Sequence, residues 1–366
     1  MRTLHAISSI DKIHRHALIL LVLAVLAPAC GGGGGGGSSG GGGAGVFTGD
    51  YHRMSFTGQS TTNIGRIGTS VFSGVDYIEA GISNNNGTID SMVDSGTFAV
   101  SGADFTFAAT GPFSFSGGVR PDRSMAISAP VSAGPPTFVV DLRKGACSDA
   151  TLSGTYFIVG YGFELSGSTN YSYTGTLTSD GAGAWTFSAT FNLNGTITPG
   201  VTNSGPYFIE SDGSMTLLPA TGGAITGGVL EGGDVFVMSA TSSTGVPEVA
   251  VGIRKGGSFS NASMSGAYHG ISFGSSPSVA ASHFTLTKNA NFSGTGVLTW
   301  TATQNLEGAI GAIPLQTEAY SIAADGTFTI TGGLTFNGGV LAGGNVAIAA
   351  AVTAAGYMEI RVYVRS

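Results

Sequence analysis

The chain is predicted to be all-β: three repeated antiparallel meander modules, each a small barrel or sandwich, following an N-terminal signal and a glycine-rich linker. Three observations predict this. First, a unit of about 111 residues recurs, marked by three anchors in fixed order. A G-x-Y opens each unit (Gly49-Asp50-Tyr51, Gly154-Thr155-Tyr156, Gly266-Ala267-Tyr268), and a G-G-V sits late (Gly117-Gly118-Val119, Gly227-Gly228-Val229, Gly338-Gly339-Val340). An apolar segment ending in Arg143, Arg254 or Arg365 closes it, the arginines spaced 111 and 111 residues apart. Second, apolar and polar residues alternate with period two. Trp185, Phe187, Ala189, Phe191 and Leu193 interleave with Thr186, Ser188, Thr190 and Asn192, and Leu298, Trp300 and Ala302 interleave with threonines. Third, Asx-Gly pairs punctuate these runs, supplying the positive φ that tight hairpins need. Asp180-Gly181, Asn194-Gly195, Asp212-Gly213, Asp325-Gly326 and Asn337-Gly338 are expected turns.

Each unit has room for about seven or eight strands and turns. No stretch after residue 45 has a 3.6-residue apolar period of helical length. Residues 346–355 are Ala-rich, yet they occupy a position that is strand in the other units. The organisation read from the chain is signal peptide 1–29, linker 30–46, and β repeats 47–147, 148–258 and 259–366.

The first 16 residues carry Arg2, Lys12, Arg15 and three histidines against Asp11, and residues 17–27 are uninterrupted apolar. Such a core has signal-peptide length and falls well short of the roughly 20 residues that a spanning helix needs. It ends in Leu26-Ala27-Pro28-Ala29-Cys30. This ending resembles the lipobox of bacterial lipoproteins. The resemblance implies that Cys30 becomes the lipidated first residue of the mature chain, carrying palmitate-type acyl groups. It implies a membrane as partner and, with Gly31 rather than Asp after the Cys, the outer membrane as destination. More than one acyl chain makes such anchoring effectively permanent. An ordinary cleavage after Ala-Pro-Ala is the other reading. Residues 31–45 are almost all Gly and Ser, about 15 residues with nothing to bury, and are expected to be a flexible tether reaching about 20 Å. They are no phosphate loop, because no Lys-Ser/Thr follows.

Charged residues make up 10% of the chain, against about 25% in ordinary globular proteins. Residues 1–29 hold three of the 14 Lys+Arg and one of the 21 Asp+Glu, so the remainder is acidic. No basic run is present, and nucleic acid is not an expected partner. With Cys30 acylated, Cys147 has no partner for a disulfide and is expected to be a small linker residue.

The G-x-Y and the closing Arg resemble a feature of lipocalins and their calycin relatives, in which a G-x-W near the start of the barrel meets an Arg from the last strand. The resemblance implies that Tyr51 with Arg143, Tyr156 with Arg254 and Tyr268 with Arg365 lie on adjacent strands, cation against ring. A strand-edge Tyr and an unrelated surface Arg is the plainer alternative.

No catalytic constellation is recognisable, so the chain is read as no enzyme, with no cofactor and no metal. His52, His269 and His283 lack ligand partners at motif spacing and are expected to be structural. Asp180, Asp212 and Asp325 are expected to act only as turn residues. Glu164, Glu231, Asp234 and Glu307 have no evident partner, and no G-x-S-x-G occurs. The function expected is that of a lipid-anchored envelope protein of structural or binding role, its three modules displayed separately on the tether. Two alternatives stay open. One is a calycin-like carrier, with an apolar lumen of several hundred Å³ in each barrel. The other is a single outer-membrane barrel made from all the repeats, since alternation alone does not say whether the apolar face looks to a core or to lipid.

Overall fold

Strand pairing closes three times, once in each repeat. The computed structural model describes residues 47–59, 62–109, 113–164, 169–242, 246–276, 282–353 and 356–366. The signal segment, Cys30 and the tether lie outside the described residues. Within residues 49–143, 153–254 and 265–365, eight antiparallel strands each form a closed barrel in sequence order. The G-x-Y strand of each barrel pairs both with the strand that follows it and with the closing strand of its own repeat. No edge is left to pair across repeats, so the single-barrel alternative is overturned.

The Asx-Gly turns appear as expected at Asn194-Gly195, Asp212-Gly213 and Asp325-Gly326, where Gly213 and Gly326 have φ +88° and +87°. Asn337-Gly338 is a correction: it lies inside the strand Thr335–Val340. Gly338 is there because a Cβ would run into the Ile348 carbonyl on the neighbouring strand. Gly117 and Gly227 meet Ile127 and Val237 in the same way.

Each barrel packs its own cluster of aromatic and aliphatic side chains inside. Barrel 1 packs Phe72, Tyr77, Phe98 and Phe105, barrel 2 Tyr156, Leu177, Trp185 and Tyr207, and barrel 3 Phe292, Leu298, Tyr320 and Phe328. A fourth cluster lies outside all three barrels and is built from all of them: Met54, Phe56, Ile127 and Val140; Phe157, Val159, Val237 and Val251; and Ile271, Phe273, Ile348 and Val362. The barrels therefore share a core, which corrects the expectation of modules displayed separately. The physical reason is visible in the strands themselves. Met125–Pro130, Val235–Ala240 and Val346–Ala351 are buried along their whole length, as strands covered on both faces must be.

The G-G-V anchor and the residue after G-x-Y form the contact between barrels. A Cβ at Gly228 would overlap the ring of His52, one at Gly339 the ring of Phe157, and one at Gly118 the ring of His269. Barrel 1 thus seats a ring on barrel 2, barrel 2 on barrel 3, and barrel 3 on barrel 1. Linker lysines strengthen two of the junctions. Lys144 Nζ lies 2.7 Å from Asp212, and Lys255 Nζ lies 2.8 Å from Asp325. These aspartates do more than shape turns, because each also tethers the preceding barrel. At the third junction His269 Nε2 lies 3.3 Å from Asp104.

Burial, with Lys144 nearby, pushes the His52 pKa from its ordinary 6.5 down to about 4, although the Asp212 side chain and carbonyl oppose the shift. The unfolded chain then binds a proton that the folded chain refuses, so stability rises with pH across that window and is complete above about 6.5. We predict that the thermal midpoint falls as pH drops from about 6.5 to about 4. His52→Phe, which places the barrel 2 counterpart Phe157 in the same seat, should flatten that slope. An unchanged slope in the variant would show that the titration lies elsewhere.

Candidate ligand-binding site in the second barrel

The alternation that builds the closing strand Met358–Arg365 puts Met358, Ile360, Val362 and Val364 on the shared core. Glu359, Arg361 and Tyr363 therefore point into the barrel 3 lumen. There Arg361 Nε donates to Glu359 Oε1 at 2.8 Å, and Arg361 Nη1 lies 2.9 Å from Glu318 Oε2. The guanidinium centre sits 3.6 Å from the Phe336 ring centroid. Lys288 Nζ is 3.6 Å from Glu359 and 4.6 Å from the Trp300 ring centroid. Burial and the Arg361 charge press the Lys288 pKa down to about 7.

Barrel 1 carries a comparable cluster. Arg53 grips Asp141 with two hydrogen bonds of 2.8 and 3.0 Å and reaches Glu79 at 3.2 Å. Burial works against the charge on Arg53, but Asp141 and Glu79 hold its pKa above the ordinary value. The guanidinium lies over Phe107 and Tyr77, 4.8 and 5.0 Å from their centroids.

Barrel 2 differs. Tyr171 Oη donates to Glu248 Oε2 at 2.5 Å, and Tyr173 Oη donates to Glu248 Oε1 at 2.6 Å. No cation pairs with Glu248 among the described residues. Burial raises its pKa, and the two phenol donors work the other way. The tyrosines reach this position because the opening strand is glycine where they lie: a Cβ at Gly160 would strike the Tyr173 ring, and one at Gly162 the Tyr171 ring.

Beside Glu248 is a cavity of about 320 Å³ walled by Tyr173, Trp185, Phe187, Phe191 and Met238. Pro219, Thr221, Gly222 and Gly223 also border it. One end of the barrel is shut. The 3-10 helix Asp149–Thr151 and buried Leu152 lie across it, with Tyr207 Oη donating to the Asp149 and Leu152 carbonyls at 2.9 and 3.2 Å. Asp149 Oδ1 accepts from the Ile209 backbone N–H at 2.7 Å. The result is a cup with an aromatic wall and one carboxylate. It can enclose a small, largely apolar molecule and offer it a single strong acceptor.

The residues singled out from sequence sit at barrel closure, away from this cavity. Tyr51 pairs with Arg143, Tyr156 with Arg254 and Tyr268 with Arg365 across the opening and closing strands. The Arg254 guanidinium lies 5.2 Å from the Tyr156 centroid, and that of Arg365 lies 5.8 Å from Tyr268. Tyr51 instead stacks on Phe47 at 4.4 Å. All three phenols donate to turn carbonyls, those of Arg123, Gly233 and Gly344. Burial pushes the Tyr156 pKa up to about 12, against the pull of Arg254.

Two acids that lack evident partners in the sequence have them here. Asp234 lies 3.7 Å from Arg120, and Glu307 lies 3.4 Å from His283. Cys147 Sγ lies 3.8 Å from the Val229 carbonyl in the barrel 1–2 linker. Among the described residues, no group of three or more His, Cys, Asp or Glu could hold a metal. Glu248, Tyr171 and Tyr173 are invisible as a motif because the phenols lie 77 and 75 residues from the acid. The repeat register carries the one usable signal, since Glu248 and Glu359 occupy matching places while Ala250 stands where Arg361 does.

No family model and no curated protein matches the chain. Among solved structures, one similarity is to a mutant of the vaccine antigen Transferrin Binding Protein B from Haemophilus parasuis Hp5. It has 9% identity and a TM-score of 0.27, covering 87% of this chain and 76% of that one. A second is to the beta clamp of H. pylori in complex with diflunisal. It has 7% identity and a TM-score of 0.11, covering 86% of this chain and 91% of that one. Both scores are too low for either structure to inform the fold or the site.

Proposed function

We propose that this protein is a non-enzymatic binding protein of the cell envelope that holds a small, predominantly apolar molecule in the lumen of its second barrel. The observation that supports this is the contrast among the three lumens. Barrels 1 and 3 set buried ion clusters under aromatic rings, and the cavity of about 220 Å³ in barrel 1 is lined by Arg53 and Glu79 of its cluster, whereas the cavity of about 320 Å³ in barrel 2 has Glu248 as its one charged lining residue. No His, Cys, Lys or Arg lines the cavity among the described residues, which favours binding over nucleophilic chemistry. The envelope assignment draws on the cationic start, the apolar run and the Leu26–Cys30 ending of the sequence, with acyl chains on Cys30 as the anchor. Barrels 1 and 3 then act as the frame for the binding barrel.

A neutral, environment-sensitive probe such as N-phenyl-1-naphthylamine tests the reading. It should brighten with the full chain and quench Trp185, one of two tryptophans, because that ring is part of the cavity wall. Ala240→Phe, which grows into the cavity, should weaken the probe at least about tenfold by occupying its volume. Equal binding in the variant would place the probe elsewhere and defeat the proposal.

A further inference from the structure

We propose that the molecule held in barrel 2 carries a cationic ammonium group on an apolar body, and that this group pairs with Glu248 as Arg361 and Lys288 pair with Glu359 in barrel 3. This rests on the lumen reading above and adds the chemistry of the ligand. Strand register sets the two barrels side by side. Glu248 faces Gly162 of its opening strand, and Glu359 faces Gly274 of the corresponding strand. Two residues on, Ala250 stands opposite Gly160 where Arg361 stands opposite Ser272. Gly175, paired with Ile158, takes the place of Lys288, paired with Gly270. Gly205, opposite Trp185, takes the place of Glu318, opposite Leu298. Barrel 2 has kept the carboxylate of this cluster and lost both cations and the second acid.

Glu248 is half-buried at the lumen wall, and a carboxylate partly withdrawn from water is stabilised by a counter-charge. The two phenols supply only part of that stabilisation. Each carboxylate oxygen accepts from one phenol and retains further acceptor capacity. The walls supply the other half of an ammonium site. Tyr173, Phe187 and Phe191 line the same space as a packed aromatic cluster, and aromatic rings attract a desolvated cation. Lys288 over Trp300 in barrel 3 shows the same pairing of ammonium and ring within this molecule. The cavity itself accommodates the apolar body, so a bare metal ion or a polyamine fits less well than a monoamine with a hydrocarbon chain.

Displacement of N-phenyl-1-naphthylamine from the full chain by hexylammonium and by 1-hexanol, matched in apolar body, reads the inference directly. Hexylammonium should displace the probe at a concentration at least about tenfold lower, the increment of a charge-assisted hydrogen bond. Glu248→Gln, nearly isosteric and still able to accept from a phenol, should bring the displacing concentrations of the two competitors together. Ala250→Arg, which supplies in cis the cation that barrel 3 carries, should also abolish the preference for ammonium. Equal displacement by the two compounds in the unmodified protein would overturn this inference and leave the lumen reading intact. If the probe fails to bind and calorimetry with hexylammonium also shows no heat, both readings fall together.

Discussion

Replacing Arg53 by Met is expected to destabilise the protein by about 3–5 kcal/mol. The expectation comes from what the substitution leaves behind. Asp141 is fully buried and Glu79 is 5% exposed, and Arg53 is the group that both carboxylates share. Met fills similar space but leaves two acids in a low-dielectric lumen lined by Phe72, Tyr77 and Phe107. They must then protonate or admit water. Removing the whole cluster should be milder than removing its cation. Arg53→Met combined with Asp141→Leu and Glu79→Leu should recover most of the loss, because a buried ion cluster contributes little net stability over apolar residues of similar volume. Urea unfolding of the single and triple variants decides the matter. A single variant within about 1 kcal/mol of the unmodified protein would mean that the acids find other partners.

Phe157→Ala should cost about 3–5 kcal/mol, the usual range for truncating a buried Phe, and its effect should be felt in two barrels. Phe157 leaves the wall of barrel 2, packs in the shared core and rests on Gly339 of barrel 3. The cation of Lys255 lies 5.0 Å from its ring centroid, so the Lys255–Asp325 pair loses its backing as well. Hydrogen exchange should therefore rise both along Ser153–Glu164 and around the G-G-V strand Thr335–Val340. Gly339→Leu approaches the same seam from the other side, adding bulk where the ring already sits, and should produce the same paired pattern. Faster exchange confined to barrel 2 would show that the seam does not couple the barrels.

The repeat anchors of the sequence were legible because each has a local structural job. G-x-Y begins a barrel, the closing Arg ends it, and the tight glycine pair lets strands and neighbouring rings approach. What could not be read was the direction of the alternating faces. In Met358–Arg365 the charged and apolar residues alternate as in any half-exposed strand, yet Glu359 and Arg361 point inward and the aliphatics point outward to other barrels. Alternation states that two faces differ, and says nothing of which one meets water. The expectation of modules displayed separately came from taking the apolar face as the interior. The cavity was hidden for a related reason. Its lone acid stands out only once strand register aligns the repeats, with Ala250, Gly175 and Gly205 where barrel 3 carries Arg361, Lys288 and Glu318.

An unfilled lumen ordinarily tends to collapse, since its walls lose packing partners on one side. Here several wall strands are braced from outside, with Phe157, Val159, Val237, Val249 and Val251 locked among residues of the other two barrels. That buttressing lets a hollow persist before any guest arrives, so little free energy need be spent on reshaping the host at the moment of capture. Two copies of the unit thus act as scaffolding that spares the third from having to be solid.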